Sequence, residues 1–309
     1  MNLHTALHQA FKTTFQITQA IAPGIAQRWA ARLFIRPMRF ERPARETALI
    51  QNAVSERRPF RSYYQRASDA PYYVCYQWGN ASAPAVLLIH GWAGRGSQMA
   101  TLAAPLVTAG YQVITFDAPA HGDSWGRCTN LLEVSNIIHA LSEEFGGFAA
   151  MIGHSFGGMA AGFALAEGAQ TSKLVTIGSP AEMMAVFDGF RRQLNASNHS
   201  IDGVKQYIER VAQRPVEHFS LTHTLAGRNI GGLIIHDKED NEVPCEQAAR
   251  LHHVWPDSEL HYTSGLGHRR ILRDEATIAR VVDFVRSNES QYSVLTYIHT
   301  SPYPQNAGA

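Results

Sequence analysis

Met151-Ile-Gly-His-Ser-Phe-Gly-Gly158 is the stretch that decides how this chain is read. An apolar run, Phe148-Ala-Ala-Met-Ile152, leads into it, and a helix-forming run from Met159 to Glu167 follows. Gly-x-Ser-x-Gly therefore falls where a buried strand is expected to turn sharply into a helix. Such a turn pushes a serine hydroxyl out above the end of a sheet. Gly153 and Gly157 leave room for the close backbone crossing it needs. The helix start adds backbone N–H groups and a positive dipole end beside the hydroxyl. Alone, the pattern often marks no more than a turn; the strand before it and the helix after it make Ser155 a candidate nucleophile. A serine hydroxyl reacts poorly until a neighbouring base takes its proton, so a histidine and an orienting acid must lie elsewhere in the chain.

The flanking sequence alternates strands with helices. Tyr72 to Trp78 is rich in strand formers, and Ala85-Val-Leu-Leu-Ile89 is wholly apolar, as a strand buried on both faces should be. Gln112–Phe116, Lys173–Ile177, Gly231–His236 and Glu259–Thr263 read as further strands. Helical patterns cover Gln98–Ala109, Leu131–Phe145, Gln247–Val254 and Ala276–Arg286. This alternation predicts an α/β fold, a mostly parallel sheet covered on both faces by helices, with active groups at the carboxyl ends of the strands. Residues 182–225 interrupt it with helical patterns, among them Met183–Leu194 and Val204–Val211, and read as an insertion between two strands. The tail from Tyr292 reads as a surface segment or a frayed end.

The chain has 309 residues, 45% hydrophobic and 17% charged, which suits one large domain with an insertion. A net charge of +1 speaks against a dedicated nucleic-acid binder. Cys75, Cys128 and Cys245 are odd in number and far apart, so free thiols in a reducing compartment are expected, without a disulfide framework or a metal site. No apolar run is long enough to span a membrane, and His4, Thr5, His8 and Gln9 interrupt any signal core; a cytoplasmic chain is expected.

The charge is unevenly spread. Residues 1–66 hold eleven Lys/Arg and three acids, a net +8, and the rest of the chain nets −7. A basic helical extension docked on a main domain, residues 67–309, is the plain reading. Ile25, Trp29 and Leu33 alternate with Arg28, Arg32 and Arg36. That pattern has two readings: a helix lying peripherally on an anionic membrane, or a packing face with a solvated arginine edge. Pro37 and Pro43 end or break the helix.

A base should follow a late strand, and His268 in Thr263-Ser-Gly-Leu-Gly-His268 does so. Read as an isolated histidine it would be structural; with a nucleophile turn upstream it becomes the candidate base. The acid should follow the strand before. His236-Asp-Lys-Glu-Asp-Asn-Glu-Val-Pro244 offers Asp237, Glu239, Asp240 and Glu242. Asp240 is preferred; Asp237 is the reserve, read first as a turn or capping residue. The bland reading of the whole run is a solvated acidic loop. Two backbone N–H groups would bind an oxyanion, that of Phe156 after the nucleophile and that of Trp92 in His90-Gly-Trp92. The Trp92 indole would also line the pocket.

Four features together resemble a known family: His90-Gly-Trp92, Asp117-x-Pro-x-His-Gly-x-Ser124, Gly153-His-Ser-Phe-Gly-Gly158, and Asp240-x-x-Val-Pro244 followed by Gly267-His268. They resemble the α/β-hydrolase superfamily, in its serine esterase and lysophospholipase-like group, over roughly residues 70 to 290. The resemblance implies a catalytic triad in the order Ser155, Asp240, His268. It also implies that residues 182–225 form a cap, with Met183, Met184, Phe187 and Phe190 facing substrate or packing on the core. Asp117, His121 and Ser124 are then loop-shaping residues. One departure stands out: the family carries glycine before the histidine of the second motif, and here it is Ala120, which bears on the local turn. The expected activity is hydrolysis of a small-molecule carboxylic ester or thioester, largely apolar in its acyl part, with no metal and no organic cofactor. Two other readings stay open, a carbon–carbon bond hydrolase or perhydrolase on the same fold, and a binding protein without turnover.

Overall fold

The computed structural model describes residues 3–287, so the tail from Tyr292 lies outside the described residues. One sheet runs through the molecule. Its strands are β1 (Val54–Pro59), β2 (Tyr72–Trp78), β3 (Ala85–Ile89), β4 (Gln112–Asp117), β5 (Ala150–His154), β6 (Lys173–Ile177), β7 (Gly231–Asp237) and β8 (Ser258–Thr263). They lie in the order β1-β2-β4-β3-β5-β6-β7-β8. The pairs β1–β2 and β2–β4 are antiparallel, and every pair from β4 to β8 is parallel.

The helices are α1 (Leu3–Ile21), α2 (Pro23–Phe34), α3 (Ala44–Ile50), α4 (Gly96–Met99), α5 (Ala103–Thr108), α6 (Leu131–Glu144), α7 (Phe156–Ala166), α8 (Met183–Leu194), α9 (Asn198–Ala212), α10 (Leu221–Thr224), α11 (Glu246–Val254), α12 (Gly267–Arg270) and α13 (Glu275–Arg286). Alternate strand residues feed two separate cores. Leu87, Met151 and Leu174 pack on one face with Ile137, Phe163 and Leu251 of the covering helices. Val86, Ile152 and Val175 pack on the other with Leu106, Val281 and Phe284. Burial on both faces explains why these strands are uninterrupted apolar runs. Each fully buried aliphatic chain stabilises the fold by about 1.5–3 kcal/mol.

Residues 1–66 are not wholly helical. Val54–Pro59 forms β1, the edge strand of the sheet. It is exposed along most of its length and carries Glu56, Arg57 and Arg58. Charges and a terminal proline are what blunt an exposed edge against further pairing, and they hide the strand from a reading based on apolar alternation.

Helices α1 and α2 dock on the helical insertion between β6 and β7, residues 183–224, which is where the sequence placed a cap; α3 packs instead on α4. Ala26 and Ala30 of α2 are buried. A Cβ at Gly203 of α9 would stand 2.6 Å from Gln27 Cβ, so the missing side chain lets α2 and α9 approach closely. Gln27 Nε2 donates to His199 O at 2.9 Å, and Ser200 Oγ donates to Gln19 Oε1 at 3.0 Å. Trp29 packs edge-on between Phe11 and Phe15, and Leu33 also faces inward. Ile25 remains exposed, with Ile17 and Ile21.

A strap, residues 35–43, then crosses to the core. Arg39 donates to the carbonyls of Ala120, Ser124 and Gly126. Arg42 lies 2.8 Å from Asp123 and 3.6 Å from Asp117. Arg95 Nη1 donates to Phe40 O at 2.7 Å. Two arginines of the basic extension, Arg39 and Arg42, are thus spent on loop carbonyls and carboxylates of the main domain. Among the described residues, no helix is long and apolar enough to cross a membrane.

Candidate active site

Ser155 joins β5 to α7 with φ 52° and ψ −121°. A non-glycine residue held there carries strain of order 1–3 kcal/mol. The surrounding glycines explain why the crossing closes. A Cβ at Gly153 would sit 2.4 Å from Gly158 N, and one at Gly157 would sit 2.2 Å from Ile89 O. The Ser155 N–H donates to Ile177 O at 2.9 Å, tying the turn to the neighbouring strand.

His268 stands in the short helix α12 rather than in a loop, and it is buried. Its Nδ1 donates to Asp240 Oδ2 at 2.6 Å. Asp240 Oδ1 accepts from the N–H groups of Glu242 at 2.8 Å and Val243 at 2.9 Å. Burial alone would raise the Asp240 carboxyl; the His268 hydrogen bond and charge, with these two N–H groups, outweigh it and hold the acid below its ordinary value. Asp237 is spent otherwise. It accepts from Thr263 Oγ1 at 2.7 Å and from the N–H groups of Glu239 and Leu266 at 3.0 and 3.1 Å, and so ties the loop after β7, which carries Asp240, to the one after β8, which leads to His268.

Ser155 and His268 line one cavity. The hydrogen bonds of His268 run to Asp240 and His154, and none joins it to Ser155 Oγ. Hydroxyl–imidazole bonds of this kind are often long until substrate tightens the geometry. His268 Nε2 also lies 4.0 Å from Glu242 Oε2, whose carboxylate pairs with Arg269.

The loop after β3 abuts the serine: a Cβ at Gly91 would lie 3.1 Å from Ser155 Cβ. Two neutral histidines fix that loop. His90 donates from Nδ1 to Gly91 O at 2.7 Å and accepts the Ala118 N–H at Nε2 at 2.9 Å. His121 donates to Pro119 O at 2.9 Å and accepts the Ala93 N–H at 3.0 Å. Burial lowers the pKa of both. Ala93 thus commits its N–H, and the Trp92 N–H has no hydrogen bond among the described residues. Phe156 opens α7, where an N–H has no intrahelical acceptor. The Trp92 indole packs edge-on against Phe156 and His121, each at 5.3 Å.

Ala120 accepts the left-handed conformation, φ 65°, that a glycine would take without strain. Asp117 organises this loop as expected of a shaping residue. It accepts from Gly96 N at 2.7 Å and Asp123 N at 2.9 Å, and Ser124 Oγ donates to its carbonyl at 2.6 Å.

The cavity has a volume of about 1410 Å³. Trp92, Met183 and Phe190 line it; Met184 and Phe187 do not. The reason is helical phase. Met183, Phe187, Phe190 and Leu194 share the inward stripe of α8, and Met184 points about a quarter-turn away, half exposed. Phe187 is fully buried behind the cavity, 5.5 Å from Phe34. Phe11, Leu33, Phe34, Met38 and Phe40 also line the cavity, all from the extension that charge alone pointed to as a docked piece. Among the described residues no cluster of metal-ligating side chains occurs.

Comparison with known proteins agrees with this architecture. The model of the Alpha/beta hydrolase family matches residues 86–282. A serine hydrolase-like protein from Homo sapiens is 27% identical over 157 residues, 48% of this chain and 74% of that protein. An esterase from Pyrococcus furiosus superposes with a TM-score of 0.58 at 19% identity, over 81% of this chain and 98% of its own. A bromoperoxidase from Bacillus anthracis superposes with a TM-score of 0.56 at 20% identity, over 71% and 97%. At such identities the two structures speak for the fold.

Proposed function

The chain belongs to the alpha/beta hydrolase family, and from that premise we propose that it is a serine hydrolase of carboxylic esters or thioesters. The observation that carries the reading is the Asp240–His268 hydrogen bond of 2.6 Å beside a cavity that Ser155 enters from a strained strand–helix turn.

Asp240 holds the His268 proton on Nδ1, which leaves Nε2 free to accept the Ser155 hydroxyl proton. Ser155 Oγ then adds to the acyl carbon, and the carbonyl electron pair moves onto oxygen. The N–H groups of Trp92 and Phe156 are the donors for that oxyanion. Each such donor is commonly worth about 2.7–4 kcal/mol in the transition state. Collapse expels the alcohol or thiol with the proton from Nε2 and leaves an acyl-serine. Water, giving its proton to His268, then frees the acid and restores the serine. The buried imidazole of His154, pushed down to about 3 by burial and by His268, stays neutral beside this centre. Its Nε2 donates to His268 O at 2.8 Å and so supports the base through its backbone.

Labelling with a small fluorophosphonate tests the reading. Covalent modification of Ser155, lost in Ser155→Ala, with turnover of p-nitrophenyl esters is the expected result. Folded protein that neither labels nor turns over esters would instead point to a binding protein.

A further inference from the structure

Most of the cavity wall beyond Ser155 belongs to residues that the fold does not need for its sheet. Ligand sites usually enclose about 300–1,000 Å³, and this one encloses about 1410 Å³. Three pieces bound it: the loops at the sheet edge, the cap helices α8 and α9, and the α1–α2 hairpin with its strap. The hairpin turns one chemistry inward. Phe11, Leu33 and Phe34 line the cavity, whereas Arg28 and Arg32 are exposed. Phe34 closes the seam between hairpin and cap. Its ring stands edge-on to Phe190 at 5.1 Å and tilted to Phe187 at 5.5 Å.

The hairpin is also fixed in place. Gly203 admits α2 against α9, and Gln19 and Gln27 bond to residues 195–200 of the cap. At the other end Arg39 and Arg95 hold the strap to the core. Arg36 and Glu41 of the strap also reach the cavity, so the wholly apolar lining here is that of the hairpin; a hairpin anchored on both sides, with Phe11, Leu33 and Phe34 facing the cavity, has the build of a pocket wall.

We propose that this hairpin is a wall of the acyl-binding site, and that Phe34, with Leu33 and Phe11, limits how far a long apolar acyl chain extends from Ser155. The proposal rests on the serine-hydrolase reading. Phe34 is here a specificity-determining residue that touches the acyl chain and takes no part in bond making.

The test uses the full chain with two alkyl fluorophosphonates, butyl and dodecyl, each with a terminal diazirine. After reaction at Ser155 and irradiation, peptide mapping should place the dodecyl crosslinks in residues 11–34, and the butyl crosslinks near Trp92 or Met183. Dodecyl crosslinks confined to the cap and core would overturn the proposal. Failure of Ser155 to react with either probe, in folded protein, removes the hydrolase reading itself and is a distinct outcome.

Kinetics supply an independent check. Phe34→Trp should cut kcat/KM for p-nitrophenyl laurate by about tenfold relative to butyrate, mostly through KM, and Phe34→Leu should shift the ratio the other way. Ile25→Ser, on the exposed outer side of the hairpin, should leave the ratio unchanged. An equal shift from Ile25→Ser, or none from either Phe34 variant that still labels at Ser155, would mean that the hairpin only braces the cap and would overturn the wall.

Discussion

Asp240 meets His268 with one carboxylate oxygen, Oδ2 at 2.6 Å from Nδ1, while its other oxygen is held by two backbone N–H groups. Asparagine here would present either an oxygen to His268 and its amide to the Glu242 and Val243 N–H groups, or the reverse. Both choices set donor against donor somewhere, or impose the wrong imidazole tautomer. Asp240→Asn should therefore lower kcat for an ester by roughly 10³–10⁴-fold with the fold intact. Asp237→Asn should act mainly on stability, since that carboxylate accepts three loop hydrogen bonds and none from His268. Steady-state kinetics beside thermal melts separate the two. A larger kcat loss at Asp237 than at Asp240 would reverse the assignment.

Stability should fall as the solution is acidified below about pH 6.5, before the carboxylates titrate. His90, His121, His154 and His236 all have pKa values lowered chiefly by burial, His154 to about 3. A histidine held neutral in the fold but free to protonate when unfolded makes the unfolded chain the better proton binder between the two pKa values. Stability then rises with pH across that window, by up to about 1.4 kcal/mol per pH unit for each such group. Above about pH 6.5 the effect vanishes, because both states are neutral. Asp240 adds to the loss only at lower pH, as its own depressed folded pKa is approached. Melts from pH 7.5 to 5 should show this slope, and His154→Gln, which keeps a donor for His268 O, should flatten it. Equal slopes in both proteins would remove His154 from the account.

Ala120→Gly should stabilise the protein. An L-residue in the left-handed region costs about 1–2 kcal/mol, and Ala120 sits there at φ 65°. Glycine's extra freedom in the unfolded chain returns about 0.5–1 kcal/mol of that. The net gain is up to about 1.5 kcal/mol, a rise in Tm of up to about 6 °C for a domain of this size. A fall in Tm would show that the alanine methyl group contributes packing that outweighs the strain.

The parts legible in the sequence are those whose chemistry is local. Gly153, Ser155 and Gly157 name a strand–helix turn because only glycine clears the backbone of its neighbours, and fully apolar strands such as Ala85–Ile89 announce burial on both faces. Asp240 could be set above Asp237 only as a preference, since Asp237 ends β7, Asp240 follows it by three residues, and the hydrogen bonds that divide their work come from Thr263, Leu266 and His268, over twenty residues away. β1 stayed hidden because an edge strand carries charge where a central one carries valine. The proposed pocket wall stayed hidden for another reason. Phe34 lies outside the apolar stripe of Ile25, Trp29 and Leu33, and nothing local says that its neighbours are Phe187 and Phe190, about 150 residues on.

Glu46 and Arg95 provide the sharpest test of how the strap is held. Both are buried, with Arg95 Nε 3.1 Å from Glu46 Oε2, and Ser97 Oγ donates to that same oxygen at 2.9 Å. Arg95 Nε nonetheless lacks a well-aligned hydrogen bond, so the attraction offsets its desolvation only in part. Removing the acid alone leaves a buried guanidinium beside Phe40 O with no counter-charge. Glu46→Ala should cost about 3–5 kcal/mol, whereas the double replacement Glu46→Leu with Arg95→Met should recover most of the loss, because well-packed apolar chains are often as stable as a buried pair. Denaturant melts of Glu46→Leu, Arg95→Met and the double, beside Glu46→Ala, close the cycle. If the double replacement is as unstable as Glu46→Ala, the hydrogen bonds of Arg95 to the strap, rather than the buried charge, set the cost. Loss of activity on long-chain esters in that double variant, with butyrate hydrolysis retained, would then follow from a strap that no longer anchors the hairpin.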